Sequence, residues 1–589
     1  MKCATIQKCL IIAFAISAVL VSSVAAQDGT PLGFVSKLGQ EVDIRSGARI
    51  LADDFAAGKV ILPDLATPVA AIPAVPQIQF RGGNTQANNP PADYVQIFSG
   101  FRPFVHAVQS EVSMAASGRN IVVTYNDSAG LHVSLFNGGP SLVVDRVLLS
   151  GFATSNDGGA TWTPGFIPPS PGGDTFGDPS VGVDRHGNFY FANLAADSTS
   201  GTVNVNRSTD GGKTWSDGVI VQRDDASDKE WLAVGPDPKV KSRDNVYVTW
   251  TSFQAAACEL RFGRSLDGGQ TFTAKTIYVP TANANPAFPT NCLTFTNPAV
   301  DPITGTLYVP FLHFSNADQD FIQMLISDDA GDTFHFATFN IPGAPDPTVM
   351  PVTQPGELTS CSGTNLRLTV HTAANPGPGT FGLPRYINAS RMTLQPALAA
   401  RNGVLYLAWS NSTSSSFGAA ANSNIWFMRS SDGGSTWSTP AIVNPVLATD
   451  TQHVLPALAI DVDPNDVHIS YYTQHSNGSM DLDMANSHDG GASFPTNRTV
   501  RVSSTSFALP PSNIPLTNAP NFTSTNFDRE IAQCYALGEY QSVTTANGSV
   551  YVGWGDMRNL ITEPVNALSP ISGQTHSEPD VFVQKVKAQ

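Results

Sequence analysis

The sequence predicts an all-β protein, a ring of four-stranded sheets closed into a β-propeller of seven blades. Three observations predict it. An eight-residue phrase of the form Ser-x-Asp-x-Gly-x-Thr/Ser-aromatic occurs six times. A longer pattern occurs seven times, and its first six copies each lead into one of these phrases. It consists of a short apolar strand, a tight turn and a second strand ending in an aromatic or bulky residue. Finally, 43 prolines and 49 glycines in 589 residues suit short strands broken by many turns.

The eight-residue phrases are Ser155 to Trp162, Ser208 to Trp215, Ser265 to Phe272, Ser327 to Phe334, Ser430 to Trp437 and Ser487 to Phe494. Each part has a job in a tight turn. A short Asp side chain accepts hydrogen bonds from N–H groups just ahead of it. Glycine supplies the positive φ that a turn between antiparallel strands needs. The closing Trp or Phe buries a large apolar surface, expected here against the next unit. Asp157, Asp210, Asp267, Asp329, Asp432 and Asp489 are therefore read as turn-formers and not as catalysts.

In chain order, Lys2 and Lys8 precede an apolar run from Leu10 to about Val24 and small residues up to Ala26, the pattern of a secretory signal peptide over 1–26. Residues 27–92 form an extension, with a short helix expected at Leu51 to Ala57 and an extended proline-set linker at Pro68 to Pro76. The propeller is expected over 93–589. Its seven strand–turn–strand units run Val112 to Tyr125, Pro179 to Asn193, Trp231 to Trp250, Pro298 to Phe311, Pro396 to Trp409, Pro456 to Tyr471 and Tyr540 to Trp554. Successive turn aspartates are 53, 57, 62, 103 and 57 residues apart, a blade plus its loops. The odd interval is read as a long insertion at 335–394, with a degenerate extra blade as the alternative. The seventh unit ends at Asp580 to Val586 with no turn phrase. A radial array must close to protect its edges, so an N-terminal strand is expected to complete the last blade, with Asp93 to Phe98 the candidate.

The turn phrase resembles the Asp box, or bacterial neuraminidase repeat, of sialidases and related propellers. The resemblance implies that each box joins the third and fourth strands of a blade, on the face away from substrate. The phrases at Gln109 to Ser113, Asp228 to Val234, Leu537 to Val543 and Gly553 to Asn559 also resemble secreted bacterial exo-α-sialidase-like proteins, over roughly 109–586. Sialidase catalytic domains have six blades, so six is the alternative count.

Composition narrows the partners. Loss of the signal leaves 30 basic and 48 acidic residues, a formal charge of −18. That acidity argues against nucleic acid and anionic membrane surfaces, and no later apolar run is long enough to span a bilayer. A secreted, extracellular or periplasmic protein is expected. Its expected partner is an extracellular glycan or glycoconjugate, and a protein partner is the other option. Four cysteines remain, with no C-x-x-C pair. Cys258 and Cys292 lie in loops on one face of adjacent units and are expected to pair, which leaves Cys361 with Cys534. No metal-ligand or calcium-loop spacing is present, and no metal or cofactor is expected.

The loops entering each first strand and leaving each second strand share the other face, and their carboxylates make a funnel. Glu111, Asp178, Glu230, Glu539 and Asp556 lie there, with Tyr540 and Arg558. Glycosidase chemistry needs paired carboxyl groups, and the resemblance implies a Tyr nucleophile aided by an acid, with three arginines clamping a substrate carboxylate. Tyr540, Glu539 and Asp556 are the catalytic candidates. Arg558, Glu111, Asp178, Glu230 and Arg102 are the ligand-binding ones. No arginine triad stands out. The expected function is glycan recognition with hydrolysis as an added option, and the alternative is a non-catalytic scaffold for protein or polysaccharide.

Overall fold

A computed structural model describes residues 84–88, 93–98, 102–107, 109–135, 142–197, 199–252, 258–280, 292–314, 321–344, 346–352, 395–412, 423–447, 450–461, 465–477, 479–508, 537–565, 573 and 575–587. Strand backbone alone is described at 34–35, 41–42, 357–360, 364–368 and 386–387. The expected signal peptide, the helix at 51–57, the linker at 68–76, Cys361, Cys534 and the side chain of Cys292 lie outside the described residues. Among the described residues the helical turns are Ser128–Gly130 and Thr496–Arg498, and no helix is long and apolar enough to cross a membrane.

Seven antiparallel blades form a ring. Blade 1 consists of strands A (Gln109–Ser117), B (Asn120–Asp127), C (Ser150–Ser155) and D (Thr163–Phe166). The A strands of blades 2, 3, 5, 6 and 7 are Asp174–Val183, Ser227–Pro236, Ala397–Arg401, Asp450–Ile460 and Ser542–Ala546. In blade 4 the A strand is split into Cys292–Thr294 and Ala299–Val300. Each A strand touches the A strands of both neighbours, and the contacts close from blade 7 back to blade 1.

The B strands explain the unbroken apolar runs in the sequence. A strand covered on both faces reads as continuous hydrophobics, not as an alternation. Phe189–Ala196 and Asp244–Ser252 are buried at every position. A separate apolar cluster fills each gap between adjacent blades, all the way round. Trp250, Trp409 and Trp554, in three B strands, are fully buried, and each such side chain contributes roughly 1.5–3 kcal/mol by leaving water. One cluster between blades 4 and 5 holds Leu312 and Ile322 together with Leu405 and Trp409, and the A strands of the two blades touch. The long interval between them therefore holds an insertion and not an eighth blade.

The ring closes where the chain's ends meet, but not with the strand the sequence suggested. Blade 7 takes strands B (Ser549–Thr562) and C (Thr575–Lys587) from the C-terminal end, and its D strand is Thr85–Gln86. Thr85 pairs with Val583 and Gln86 with Phe582. Tyr94–Ile97, from the candidate stretch, instead joins a side sheet with Arg102–His106, Leu131–Leu135 and Leu142–Val147. Its strand character was real, but the long B–C connection of blade 1 offered it another partner.

All six turn phrases link strands C and D with one geometry. The Asp accepts from the Ser hydroxyl two residues back at 2.6–2.9 Å. It also accepts from the Thr or Ser four residues on, through N–H at 2.8–3.0 Å and hydroxyl at 2.5–2.6 Å. The closing aromatics pack backward, against the preceding blade and not the next one. Trp215 lies 5.7 Å from Phe152 of blade 1, and Phe334 and Phe494 lie 5.2 and 5.0 Å from Phe262 and Phe427. At Gly212, φ is +85°, and a Cβ would stand 2.4 Å from Val122 of blade 1. Only glycine fits both the turn and that neighbour.

Carboxylates at the seam behave in the opposite way. Asn88 donates to Asp580 (2.7 Å), Asp93 (3.2 Å) and Gln109 (2.9 Å), while Gln109 donates to Asp93 and Asp127 at 2.6 and 3.0 Å. Burial pushes the Asp127 and Asp580 carboxyls up to about 6, whereas turn hydrogen bonds hold Asp329, Asp432 and Asp489 down at about 2.

Two outcomes follow. A carboxyl that holds its proton more tightly when folded loses stability as pH rises from about 4 to about 6, and one with a depressed value loses it as pH falls from about 4 to about 2. The Tm measured across pH should therefore peak on the acid side, near pH 4, with a decline already under way by pH 6. A plateau from pH 5 to 8 would contradict this. Asp157→Ala should cost about 1 kcal/mol in denaturant unfolding, a value reduced by the solvent around that turn.

Candidate functional site

The funnel residues sit where each chain segment enters strand A, and the backbone there is unusual. Glu111, Asp178, Lys229, Phe295 and Leu455 have φ of 58°, 52°, 51°, 56° and 53°. Non-glycine residues rarely adopt this region, at a cost of order 1–3 kcal/mol each. In blades 1, 2, 3 and 6 the strand A register with strand B shifts at this point. A bulge re-aims side chains, and ring closure then brings one such position per blade to the axis.

The convergence of charges there is centred on Lys229. Its Nζ contacts Glu111 Oε1 at 3.2 Å, Asp178 Oδ2 at 3.3 Å and, more closely, Glu539 Oε2. All four side chains are buried, with Lys229 only 4% exposed. Asn126 joins the group: its Nδ2 donates to Glu111 Oε2 at 2.8 Å, and its Oδ1 accepts from the Asp178 N–H at 2.7 Å. Burial pushes the Glu111 carboxyl well above its usual range, partly offset by Lys229 and raised further by Asp178 and Glu539. Lys229 is itself burdened by burial, but Asp178, Glu111 and Glu539 hold its proton on.

Glu230 is different. The residue is 1% exposed, and its carboxylate has no side-chain hydrogen-bond partner, accepting instead from its own backbone N–H. Burial and the Asp178 charge push its carboxyl well up. With Trp231, Tyr540, Phe295 and Gln395 it lines a narrow axial recess too tight to admit a water molecule. Half-buried Trp231 stands edge-on to Tyr540, ring centroids 4.8 Å apart.

The structure brings together Glu111, Asp178, Glu539, Glu230 and Tyr540 from the sequence-based candidates. Tyr540 and Glu539 nevertheless serve different partners. The Tyr540 hydroxyl donates to the Pro179 carbonyl at 3.1 Å, and burial with four nearby carboxylates pushes its pKa well up. Asp556 and Arg558 form a second group on blade 7. Asp556 accepts from Trp554 Nε1 at 2.8 Å and from Arg558 Nη2 at 2.5 Å, and the guanidinium lies 4.4 Å from the Phe582 ring centroid. The side chain of Arg102 lies outside the described residues. Cys258 is buried and disulfide-bonded.

The sequence places Lys229 and Gln395 in loops that enter strand A, but a lone cation and a neutral amide among carboxylates carried no signal for a role in the site. Phe295 was missed outright, since it has neither charge nor a motif to mark it.

No family model matches the chain, and no curated protein matches it. Solved structures give weak similarities. The NanB sialidase of Streptococcus pneumoniae is similar over 80% of this chain and 83% of its own, at 10% identity and a TM-score of 0.38. A polysaccharide lyase, the PL25 ulvan lyase, is similar over 81% and 93%, at 10% identity and 0.42. The Trypanosoma rangeli sialidase is similar over 72% and 55%, at 14% identity and 0.32. Similarities of this size assign neither an activity nor a residue.

Lys229→Met should destabilise the ring by about 3–5 kcal/mol at neutral pH, because three buried carboxylates lose their counter-charge. The deficit should shrink as pH falls and those carboxyls take up protons. Denaturant unfolding of both proteins across pH checks this, and a deficit independent of pH would refute the electrostatic account.

Proposed function

We propose that the protein is an exported glycan-recognition propeller that works through its axial face and does not hydrolyse sialosides. The signal-peptide pattern of residues 1–26 supports export. The observation that carries the functional reading is the engagement of the cations at the predicted site. Lys229 is bound by Glu111, Asp178 and Glu539, and Arg558 is bound by Asp556. Among the described residues, an anionic sugar would meet buried carboxylates there, and the cations Lys229 and Arg558 are already engaged.

The nucleophile argument leads the same way. A Tyr hydroxyl that donates to a backbone carbonyl, with its pKa raised, is poorly prepared to attack an anomeric carbon. Binding remains chemically natural. Half-buried Trp231, with Tyr540 beside it, offers aromatic surface, and Glu230 and Gln395 offer acceptors for ligand donors.

The test is a panel of aryl glycosides, sialosides included, run beside a glycan array on wild type and Trp231→Ala. Wild type should turn over no aryl sialoside and should retain glycans on the array. Trp231→Ala should reduce that retention by about tenfold or more, as expected for loss of a large aromatic contact. Sialoside turnover abolished by Tyr540→Phe would overturn the proposal in favour of hydrolysis. An empty array, or retention of protein ligands alone, would leave the scaffold reading in its place.

A further inference from the structure

Three carboxylates meet where the two ends of the chain close the ring. Asp580 lies on strand C of blade 7, Asp127 ends strand B of blade 1, and Asp93 directly precedes Tyr94–Ile97 of the side sheet. Asp127 and Asp580 are buried and Asp93 is half-buried. Two neutral amides tie them together. Asn88 Nδ2 shares its N–H groups among Asp580 Oδ1, Gln109 Oε1 and Asp93 Oδ2, and Gln109 Nε2 donates to Asp93 Oδ2 and Asp127 Oδ1. Asp127 Oδ1 also accepts from the Ala129 N–H at 2.9 Å, and Asp580 Oδ2 from Asn559 Nδ2 at 2.6 Å.

No positive charge joins this group. Among the described residues, no Lys, Arg or His forms an ion pair with Asp93, Asp127 or Asp580. Asp556 faces Asp580 with a further negative charge and is itself paired with Arg558. The Tyr125 hydroxyl, which also faces the three, donates to the Phe152 carbonyl at 3.1 Å. Nearby, Glu111 is held by Lys229 and His106 by Glu563. A buried carboxylate without a counter-charge is costly, so it takes up a proton instead. The bonding leaves room for protons. Asp93 accepts these bonds on Oδ2 alone and Asp127 on Oδ1 alone, so a proton on the second oxygen of either breaks none of them. Burial and the neighbouring carboxylates push Asp93 well up, and burial lifts Asp127 to about 6.

The piece that this network fastens is the weakest join in the ring. In blades 1 to 6 the turn phrases tie strand D covalently to strand C. In blade 7 strand D comes from the other end of the chain and pairs through Thr85 and Gln86 alone. Asn88 extends that hold, because its Oδ1 accepts from the Val581 N–H at 3.1 Å while Ala87 N–H donates to the Val581 carbonyl at 2.8 Å. Asn84 fixes the opposite end to Val502 and Gln584 by neutral bonds, which do not respond to pH. We propose that Asn88, Gln109, Asp93 and Asp127 form a proton-operated latch on the ring seam, shut in acid and loosened as the medium becomes neutral. A carboxyl whose folded value is raised stabilises fully below its unfolded value of about 4 and ceases to do so as pH rises through about 6. Once Asp93 and Asp127 ionise beside Asp580, Asn88 is the partner free to leave, since Gln109 and Asp127 are built into blade 1. The latch is independent of what the axial face binds.

The experiment is hydrogen exchange of the full chain read by mass spectrometry at about pH 5 and about pH 7.5, with intrinsic exchange rates corrected. Protection of residues 85–88 should fall by about tenfold or more between the two, and that of Leu307–Phe314, strand B of blade 4 across the ring, by less than about threefold. The double variant Asp93→Asn, Asp127→Asn fixes the neutral form of both groups and keeps an acceptor for each amide. It should reduce the fall at 85–88 to that of the reference strand. No fall in wild type, an equal fall in both segments, or an undiminished fall in the folded double variant would overturn the proposal. If that variant does not fold, the contrast between the two segments in wild type decides.

Discussion

Ring closure is the constraint on which the rest of this structure depends. Each blade is a small sheet with two apolar faces, and neither face is covered until another blade lies on each side. The seven interblade clusters are therefore one continuous requirement, satisfied only when blade 7 meets blade 1. Thr85–Gln86 fastens the ring by giving blade 7 its outer strand from the opposite end of the chain. Two residues suffice because they add one short edge to a sheet whose faces are already packed. The C–D turns act on the same interfaces from the rim, as their glycines and aromatics sit against the preceding blade.

Closure also creates the axial chemistry. In five blades a residue within strand A, or in the break of the split strand of blade 4, has positive φ without being glycine, and these positions are carried towards the centre. Had these positions been apolar, the axis would be an ordinary plug. Glu111, Asp178 and Lys229 instead occupy three successive blades, and Glu539 arrives from the seventh. An ion cluster of this kind is weak evidence for stability, since desolvation takes back much of what attraction supplies.

Asp556 and Arg558 show why neighbours in a loop need not share a site. They follow strand B of blade 7 by sequence, and a funnel drawn from loop positions includes them. In the fold Trp554 and Phe582 hold them in a pair of their own. Tyr540 and Glu539 make a milder form of the same point: both approach Lys229, but the Tyr540 hydroxyl is committed to the Pro179 carbonyl.

The sequence by itself determined the repeat, the all-β class, the blade count and the turns. Each of these is a local pattern repeated often enough to be read: an Asp that needs its following N–H groups, a glycine at positive φ, an apolar strand covered on both faces. It also placed Glu111, Asp178, Glu230 and Glu539 on one face, because alternation along a strand and the order of strands in a blade are local too. Only the tertiary structure decided which N-terminal strand closed the ring, because Tyr94–Ile97 and Thr85–Gln86 differ in partner and not in strand character. Lys229 as the hub was likewise invisible, since three of its contacts come from three different blades, 51 to 310 residues away in sequence. The Gln395 Oε1, buried without a hydrogen bond, belongs to the same class: a missing hydrogen bond is a property of everything around an atom, and no local pattern records it.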